Sequence, residues 1–284
     1  MTESPDVRRD PFLGTIVHVV GTRQSRPNLP DTGCPFCPGG REAPEPYDVR
    51  WFPNRWPAMP AGRCEVVLYT PQHDAAFASL GIAGARNVID TWAQRTAELG
   101  GRPDVHYVLV FENRGPEVGA TIAHPHGQIY AYDHVPDRPS RLLDAQWSPD
   151  LNPGERLVAE YAGWVASVPL ASTYPIAVSL APRVQVPDLT ALDNDGRNGL
   201  AALLTDVLGR LDRLYDRPLP YMMWLNQRPT DGGEWPQAWF NVEIVSPWRS
   251  AGVPRFIAAA EVACGEFFNP VIPEVLAEQL RSLG

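Results

Sequence analysis

His124, His126 and Gln128 stand at alternate positions of Ala123-His124-Pro125-His126-Gly127-Gln128-Ile129-Tyr130. Alternate side chains of an extended strand share one face, so the sequence predicts two imidazoles and one carboxamide looking into a single pocket. A neutral imidazole is a competent nucleophile toward phosphorus, and a strand holds it more rigidly than a loop does. A phosphohistidine-type intermediate is therefore the chemistry these residues allow. Charge develops on phosphoryl oxygens during transfer and calls for donors aimed at them. Gln128, Thr121, Asn113 and the backbone amides of the glycine-bearing 115–119 loop are the candidates. Unlike a third histidine, Gln128 can neither supply nor remove a proton at neutral pH. It suits an intermediate held for a second acceptor, hence ping-pong transfer rather than hydrolysis.

The elements that must position these groups occur twice. Residues 65–111 read as a strand (Glu65 to Tyr69), a proline-containing turn, a helix from about Ile82 to Leu99 and a strand around Val108. Residues 176–226 repeat that order with a strand from Ile176 to Leu180, a helix from about Asp193 to Tyr215 and a strand from Tyr221 to Trp224. Apolar spacing carries the helix assignments, as in Leu200, Leu203, Leu204, Val207, Leu208, Leu211 and Leu214. Short β-rich runs bounded by Pro and Gly carry the strands. The motif itself recurs 115 residues on as Ala238-Trp239-Phe240-Asn241-Val242-Glu243-Ile244, with Trp239, Asn241 and Glu243 at the chemical positions. One live and one dead copy of a duplicated unit follow. The expected organisation is an N-terminal unit over 1–136, a linker over 137–155 and a C-terminal unit over 156–284. The Pro, Ser, Asp and Gly content of 136–155 reads as loop.

A chain of 284 residues with 44% hydrophobic content can bury a large core. Its formal charge of −9 argues against a nucleic-acid partner, which needs a basic face to displace counterions. All 24 basic side chains are arginine. No apolar run reaches membrane-spanning length and the N-terminus lacks a signal pattern, so a cytoplasmic enzyme is expected. The four cysteines, Cys34, Cys37, Cys64 and Cys264, are too sparse for a disulfide scaffold. Cys34 and Cys37 have the spacing that lets two thiolates grip one tetrahedral zinc, although redox use or coincidence fits that pair equally well. His73 reads as a surface residue, as do Arg23 and Arg26; capping or turn roles fit Glu112 and Asn113 equally well. His18, His106 and His134 read as structural or surface histidines.

The block His124-Pro125-His126-Gly127-Gln128 resembles the active-site signature of the galactose-1-phosphate uridylyltransferases, a branch of the histidine-triad superfamily whose hydrolases carry a third histidine in place of Gln128. The likeness extends through Phe111-Glu112-Asn113-Arg114-Gly115, Gly119 and Thr121, through Cys34-Pro35-Phe36-Cys37, and through Phe52-Pro53-Asn54. It reaches back to Arg9-Asp10-Pro11, Gly14, Arg23, Arg26 and Pro27. The resemblance implies an α+β fold in which two histidine-triad units form one mostly antiparallel sheet with packed helices.

It further implies that His126 is the nucleophile, with Gln128, Thr121 and Asn113 on phosphate oxygens and Arg23, Arg26 and Asn54 near the nucleotide. His73 and His124 would complete a structural zinc site with Cys34 and Cys37. Arg255 falls where the family carries a phosphate-contacting lysine, and Glu261 where a glutamate touches sugar hydroxyls. Family members are homodimers in which a C-terminal segment completes the partner's sugar site. The second half departs from the pattern: Phe240, Asn241, Val242 and Trp224-Leu225 replace the residues that hold iron in some members, so no second metal is expected. A family glutamine falls near Glu266 or Phe267, and Ala258, Ala259 and Ala260 replace a bulkier wall. The implied activity moves UMP from UDP-glucose to a hexose 1-phosphate, foremost galactose 1-phosphate. The alternatives are a transferase or phosphorylase of another nucleotide sugar, and a non-catalytic nucleotide- or zinc-binding derivative.

Overall fold

Residues 6–21, 33–59 and 62–284 are described in this computed structural model; Arg23 and Arg26 lie outside the described residues. The β-branched and aromatic runs form strands, as such residues do on a half-buried pleated surface. Nine of them make one sheet: β3 (Arg50–Pro53), β4 (Cys64–Leu68), β5 (Tyr107–Arg114), β6 (His126–Tyr132), β7 (Leu157–Tyr161), β8 (Trp164–Ser167), β9 (Ile176–Pro182), β10 (Tyr221–Asn226) and β11 (Asn241–Ser246). Their spatial order is β3-β4-β6-β5-β10-β11-β9-β8-β7, and every pairing is antiparallel. A hairpin of β1 (Asp6–Arg9) and β2 (Ile16–Val19) stands apart from this sheet, as does a short ribbon of β12 (Trp248–Ser250) and β13 (Val253–Pro254).

Around the central β5–β10 seam the order is symmetric, with β6 and β4 on one side answering β11 and β9 on the other. The helix α1 (Gly81–Gly100) lies between β4 and β5 in the chain, and α3 (Asn194–Arg213) lies between β9 and β10. The internal repeat is therefore a repeat of topology, and its motif strands, β6 and β11, begin 115 residues apart at His126 and Asn241. This is the α+β, mostly antiparallel architecture that the sequence led us to expect.

Both long helices cover one face of the sheet. Val88, Ile89, Trp92, Leu200, Leu204, Val207 and Leu211 bury there against Val110, Ile129, Val178, Met223 and Ile244. Fully burying one such aliphatic side chain contributes about 1.5–3 kcal/mol. Asp193 caps α3 by accepting from Gly196 N–H at 2.7 Å, the role that helix starts assign to Asp. Arg86 of α1 donates to Asn194 and Asn198 of α3, tying the two helices together at their exposed edges.

Two expectations need correction. The 136–155 segment is not all loop, because Asp137–Asp144 forms a helix, α2. Pro139 sits in its first turn, where a missing N–H costs nothing, and Asp137 pairs with Arg141 one turn later. The motif strand also begins later than expected. Pro125 has no N–H to offer a ladder, so β6 starts at His126, and His124 lies in a bend before it. The sequence numbers from 124 to 128 thus do not place three side chains on one face. His126 and Gln128 share the open face, whereas His124 turns into a separate, fully buried corner.

Candidate active site and metal centre

Along β6 burial alternates: His126, Gln128, Tyr130 and Tyr132 are half-buried on the open face, while Gly127, Ile129 and Ala131 are buried. His126 Nδ1 lies 2.8 Å from the carbonyl oxygen of His124. A carbonyl only accepts, so Nδ1 carries the proton and Nε2 is the basic nitrogen. The strand thereby presents the imidazole in the tautomer that a nucleophile at Nε2 requires. Phe36 packs its ring edge-on against His126 at 5.1 Å between centroids and against His124 at 6.2 Å.

Gln128 is oriented from the neighbouring edge of the sheet. Asn54, directly after β3, accepts from Trp56 N–H through Oδ1 at 2.9 Å and donates through Nδ2 to Gln128 Oε1 at 3.2 Å. With its oxygen engaged by Asn54, the carboxamide of Gln128 has its two N–H groups to offer as donors. Asn113, near the end of β5, lies on that same face, two residues beyond Phe111, which pairs with Gln128. Thr121 is half-buried just before the motif. Between them, Gly115 (φ +97°) and Gly119 (φ +84°) adopt the positive φ that lets the loop reverse.

The second corner gathers Cys34, Cys37, His73 and His124, whose ligand atoms all lie within 4.8 Å of one another. Cys37 Sγ is 3.5 Å from His73 Nδ1 and 3.6 Å from His124 Nδ1. His124 Nε2 lies 2.8 Å from the Thr70 carbonyl and so carries its ring's proton, leaving Nδ1 as the electron pair that faces the thiols. The Tyr47 hydroxyl is 2.9 Å from that same Nε2 and donates to the Phe36 carbonyl at 2.6 Å. Burial holds the His124 pKa below its usual value, which favours the neutral, ligating form. Burial, together with the neighbouring Cys34, pushes the Cys37 thiol up, so two thiolates here need a cation beside them. A Cys2His2 donor set with an oriented outer shell fits a closed, four-coordinate metal site. Nothing in the sequence pointed to Tyr47, which lies ten residues beyond Cys37 in an irregular segment.

Other expected contacts are placed differently. Arg255 and Glu261 form a buried ion pair with each other. Glu261 also accepts from Ala258 N–H (2.7 Å) and Phe268 N–H (2.9 Å), while Arg255 donates to the carbonyls of Phe268 and Thr173. Within one chain the two hold together the 255–268 segment, in which Ala259–Cys264 is a short helix. Glu266 and Phe267 follow that helix, exposed. His18 and His134 stack on each other at 6.5 Å, and His106 bonds through its backbone to Tyr132 and Thr230, in keeping with structural roles. A cavity of about 960 Å³ lies over the other half of the sheet, beside Trp224, Glu243, Arg138 and Tyr132. Asn241 stands here at the position that corresponds to His126, and Arg138 engages both oxygens of Glu243 at 2.8 Å.

The sequence pattern of the family described as "Galactose-1-phosphate uridyl transferase, N-terminal domain" matches residues 53–136, and that of its C-terminal domain matches residues 123–284. The chain belongs to the galactose-1-phosphate uridylyltransferase family. A galactose-1-phosphate uridylyltransferase of Streptomyces lividans is 37% identical over 98% of this chain and 87% of its own length. One from Thermotoga maritima is 32% identical over 97% and 98% respectively. A solved structure described as "Structure of uridylyltransferase" superimposes with a TM-score of 0.88 at 29% identity, covering 98% of both chains. Membership makes the chain an enzyme of the nucleotidyltransferase class.

Proposed function

We propose that the protein moves UMP from UDP-glucose to galactose 1-phosphate through a uridylyl-histidine intermediate. The observation that carries the reading is the hydrogen bond from His126 Nδ1 to the His124 carbonyl, which makes Nε2 the nucleophile. In the first half-reaction Nε2 bonds to the α-phosphorus, the bond from that phosphorus to the bridging oxygen breaks, and glucose 1-phosphate leaves. In the second, a phosphate oxygen of galactose 1-phosphate attacks the same phosphorus and the N–P bond breaks, releasing UDP-galactose. The N–H groups of Gln128, with Asn113 and Thr121, stabilise the charge on the phosphoryl oxygens. Arg23, Arg26 and Asn54 belong to the nucleotide side of the site by family correspondence.

Zinc is the metal that suits Cys34, Cys37, His73 and His124. It supplies a cross-link and leaves no open coordination position for chemistry. The arrangement works as a homodimer. Phe256 (81% exposed), Phe268 (70%) and Val262 (74%) offer an apolar surface on the 255–268 segment, which would reach a partner's sugar site with Arg255 and Glu261. No described helix is long and apolar enough to cross a membrane, and the free cysteines suit a reducing, cytoplasmic setting.

Intact-mass measurement after incubation with UDP-glucose tests the activity. A gain of one UMP, absent in His126→Ala and discharged by galactose 1-phosphate, is expected. A gain only from ADP-glucose or GDP-mannose would replace the substrate, and no gain from any donor would overturn the reading.

A further inference from the structure

A row of polar side chains crosses four strands directly beneath the catalytic strand, on the face covered by the helices. Tyr69, which follows β4, reaches under β6. A Cβ on Gly127 would lie 2.1 Å from Tyr69 Oη, so the hydroxyl occupies the space that a side chain between His126 and Gln128 would need. The β5–β6 register pairs Phe111 with Gln128, and its continuation sets Glu112 opposite Gly127. From β10, Tyr221 Oη donates to Glu112 Oε1 at 2.7 Å. All three side chains are almost wholly buried.

Unpaired polar atoms in such a place are costly, yet Tyr69 Oη and Glu112 Oε2 have no hydrogen-bond partner in ordinary geometry. They interact electrostatically with each other. Arg114, whose charge acts on Glu112, is itself held by Asp212 at 2.6 Å and lies over the Tyr221 ring. Tyr69 itself is clamped edge-on by Phe77 and Trp92. A carboxyl group between two phenols is an unusual thing to bury beneath an apolar-faced strand, and the transfer chemistry uses none of the three groups directly.

We propose that Glu112 is a positioning residue for the nucleophile: with Tyr69 and Tyr221 it forms a polar floor that fixes the height of Gly127, and with it the setting of His126 against Gln128. The inference rests on the uridylyl-transfer reading. A small shift of Tyr69 moves the peptide that joins nucleophile and donor, and misplacement on the order of 1 Å can cost about a hundredfold in rate.

The test is single-turnover adduct formation from UDP-glucose by wild type, Glu112→Ala, Glu112→Gln and Tyr69→Phe, with melting temperature as the folding control. Glu112→Ala is expected to slow adduct formation at saturating donor at least tenfold, with half-saturation changed less than twofold. Glu112→Gln, which still accepts from Tyr221 and offers an N–H to Tyr69, is expected within threefold of wild type. Tyr69→Phe keeps the ring and its packing, and is expected to slow the step at least threefold even if the alanine variant fails to fold. Folded Glu112→Ala or Tyr69→Phe at the wild-type rate, or Glu112→Gln as slow as Glu112→Ala, would overturn the inference. A wild type that forms no adduct would instead overturn the uridylyl-transfer reading on which it rests.

Discussion

His126 donates its Nδ1 proton to the main-chain carbonyl of His124 across 2.8 Å. One residue so couples the two corners, because the ring of His124 faces the Cys/His cluster while its carbonyl sets the tautomer of His126. A metal in that corner would act on the reaction through the backbone of residue 124. Phe36, flanked by Cys34 and Cys37 and packed on both imidazoles, gives the two centres a second link.

Loss of the metal site is therefore expected to lower stability and slow chemistry together. Purified protein should carry about one zinc per chain, and Cys37→Ser close to none. Its Tm should fall by about 5–15 °C, with slower adduct formation. Elemental analysis, a melting curve and the mass assay read the three effects.

Asn54→Ala removes the donor that holds Gln128 Oε1. Freed, the carboxamide can present its oxygen to the phosphoryl group. Adduct formation should slow by about 10²-fold, the cost of one donor lost from a preorganised site, with little change in Tm. A rate within twofold of wild type would show that Gln128 keeps its orientation without Asn54.

Glu65 and Arg95 tie α1 to β4, with Arg95 Nε and Nη2 each on one Glu65 oxygen at 2.9 and 2.7 Å and both side chains buried. The Arg95 guanidinium also lies 3.5 Å from the centroid of the Trp51 ring. Arg95 Nη1 also pairs with Glu98, but that carboxylate is half exposed, so Glu65→Ala leaves the buried guanidinium only partly compensated and should destabilise the fold by about 3 kcal/mol, the low end for a broken buried pair. Denaturant unfolding measures it, and a loss under 1 kcal/mol would contradict the assignment.

Burial pushes the Glu112 carboxyl up to about 7 from an ordinary value of 4.5. Between those values the folded chain holds a proton that the unfolded chain has released, so stability falls as pH rises through this window and levels off above about 7. The full effect is about 3 kcal/mol. Glu112→Gln cannot ionise, so its Tm relative to wild type should rise from pH 5 to pH 8. A difference independent of pH would show that Glu112 titrates normally.

Local pattern carried much of this. The apolar spacing of residues 82–99 and 193–215 foretold helices now seen at Gly81–Gly100 and Asn194–Arg213, because amphipathic periodicity reports the face that must be buried. Residues 137–144 escaped notice. Their prolines read as breakers, but prolines at and just inside a helix start leave its hydrogen-bond ladder intact.

The sequence by itself determined the duplicated order of elements and the Cys34–Cys37 pair, since residue type and spacing carry that information along the chain; His73 and His124 joined that pair only through the family resemblance. Tertiary structure alone turned the two imidazoles into separate corners. Pro125 ends the strand ladder and turns His124 toward Cys37 and Thr70, leaving His126 beside Gln128. It alone also brought Tyr47 to His124, closed Arg255 onto Glu261, and ran Tyr69 beneath Gly127 to Glu112. Those contacts join residues far apart in the chain, and no local periodicity encodes a distance that only the packing of strands and loops against one another creates.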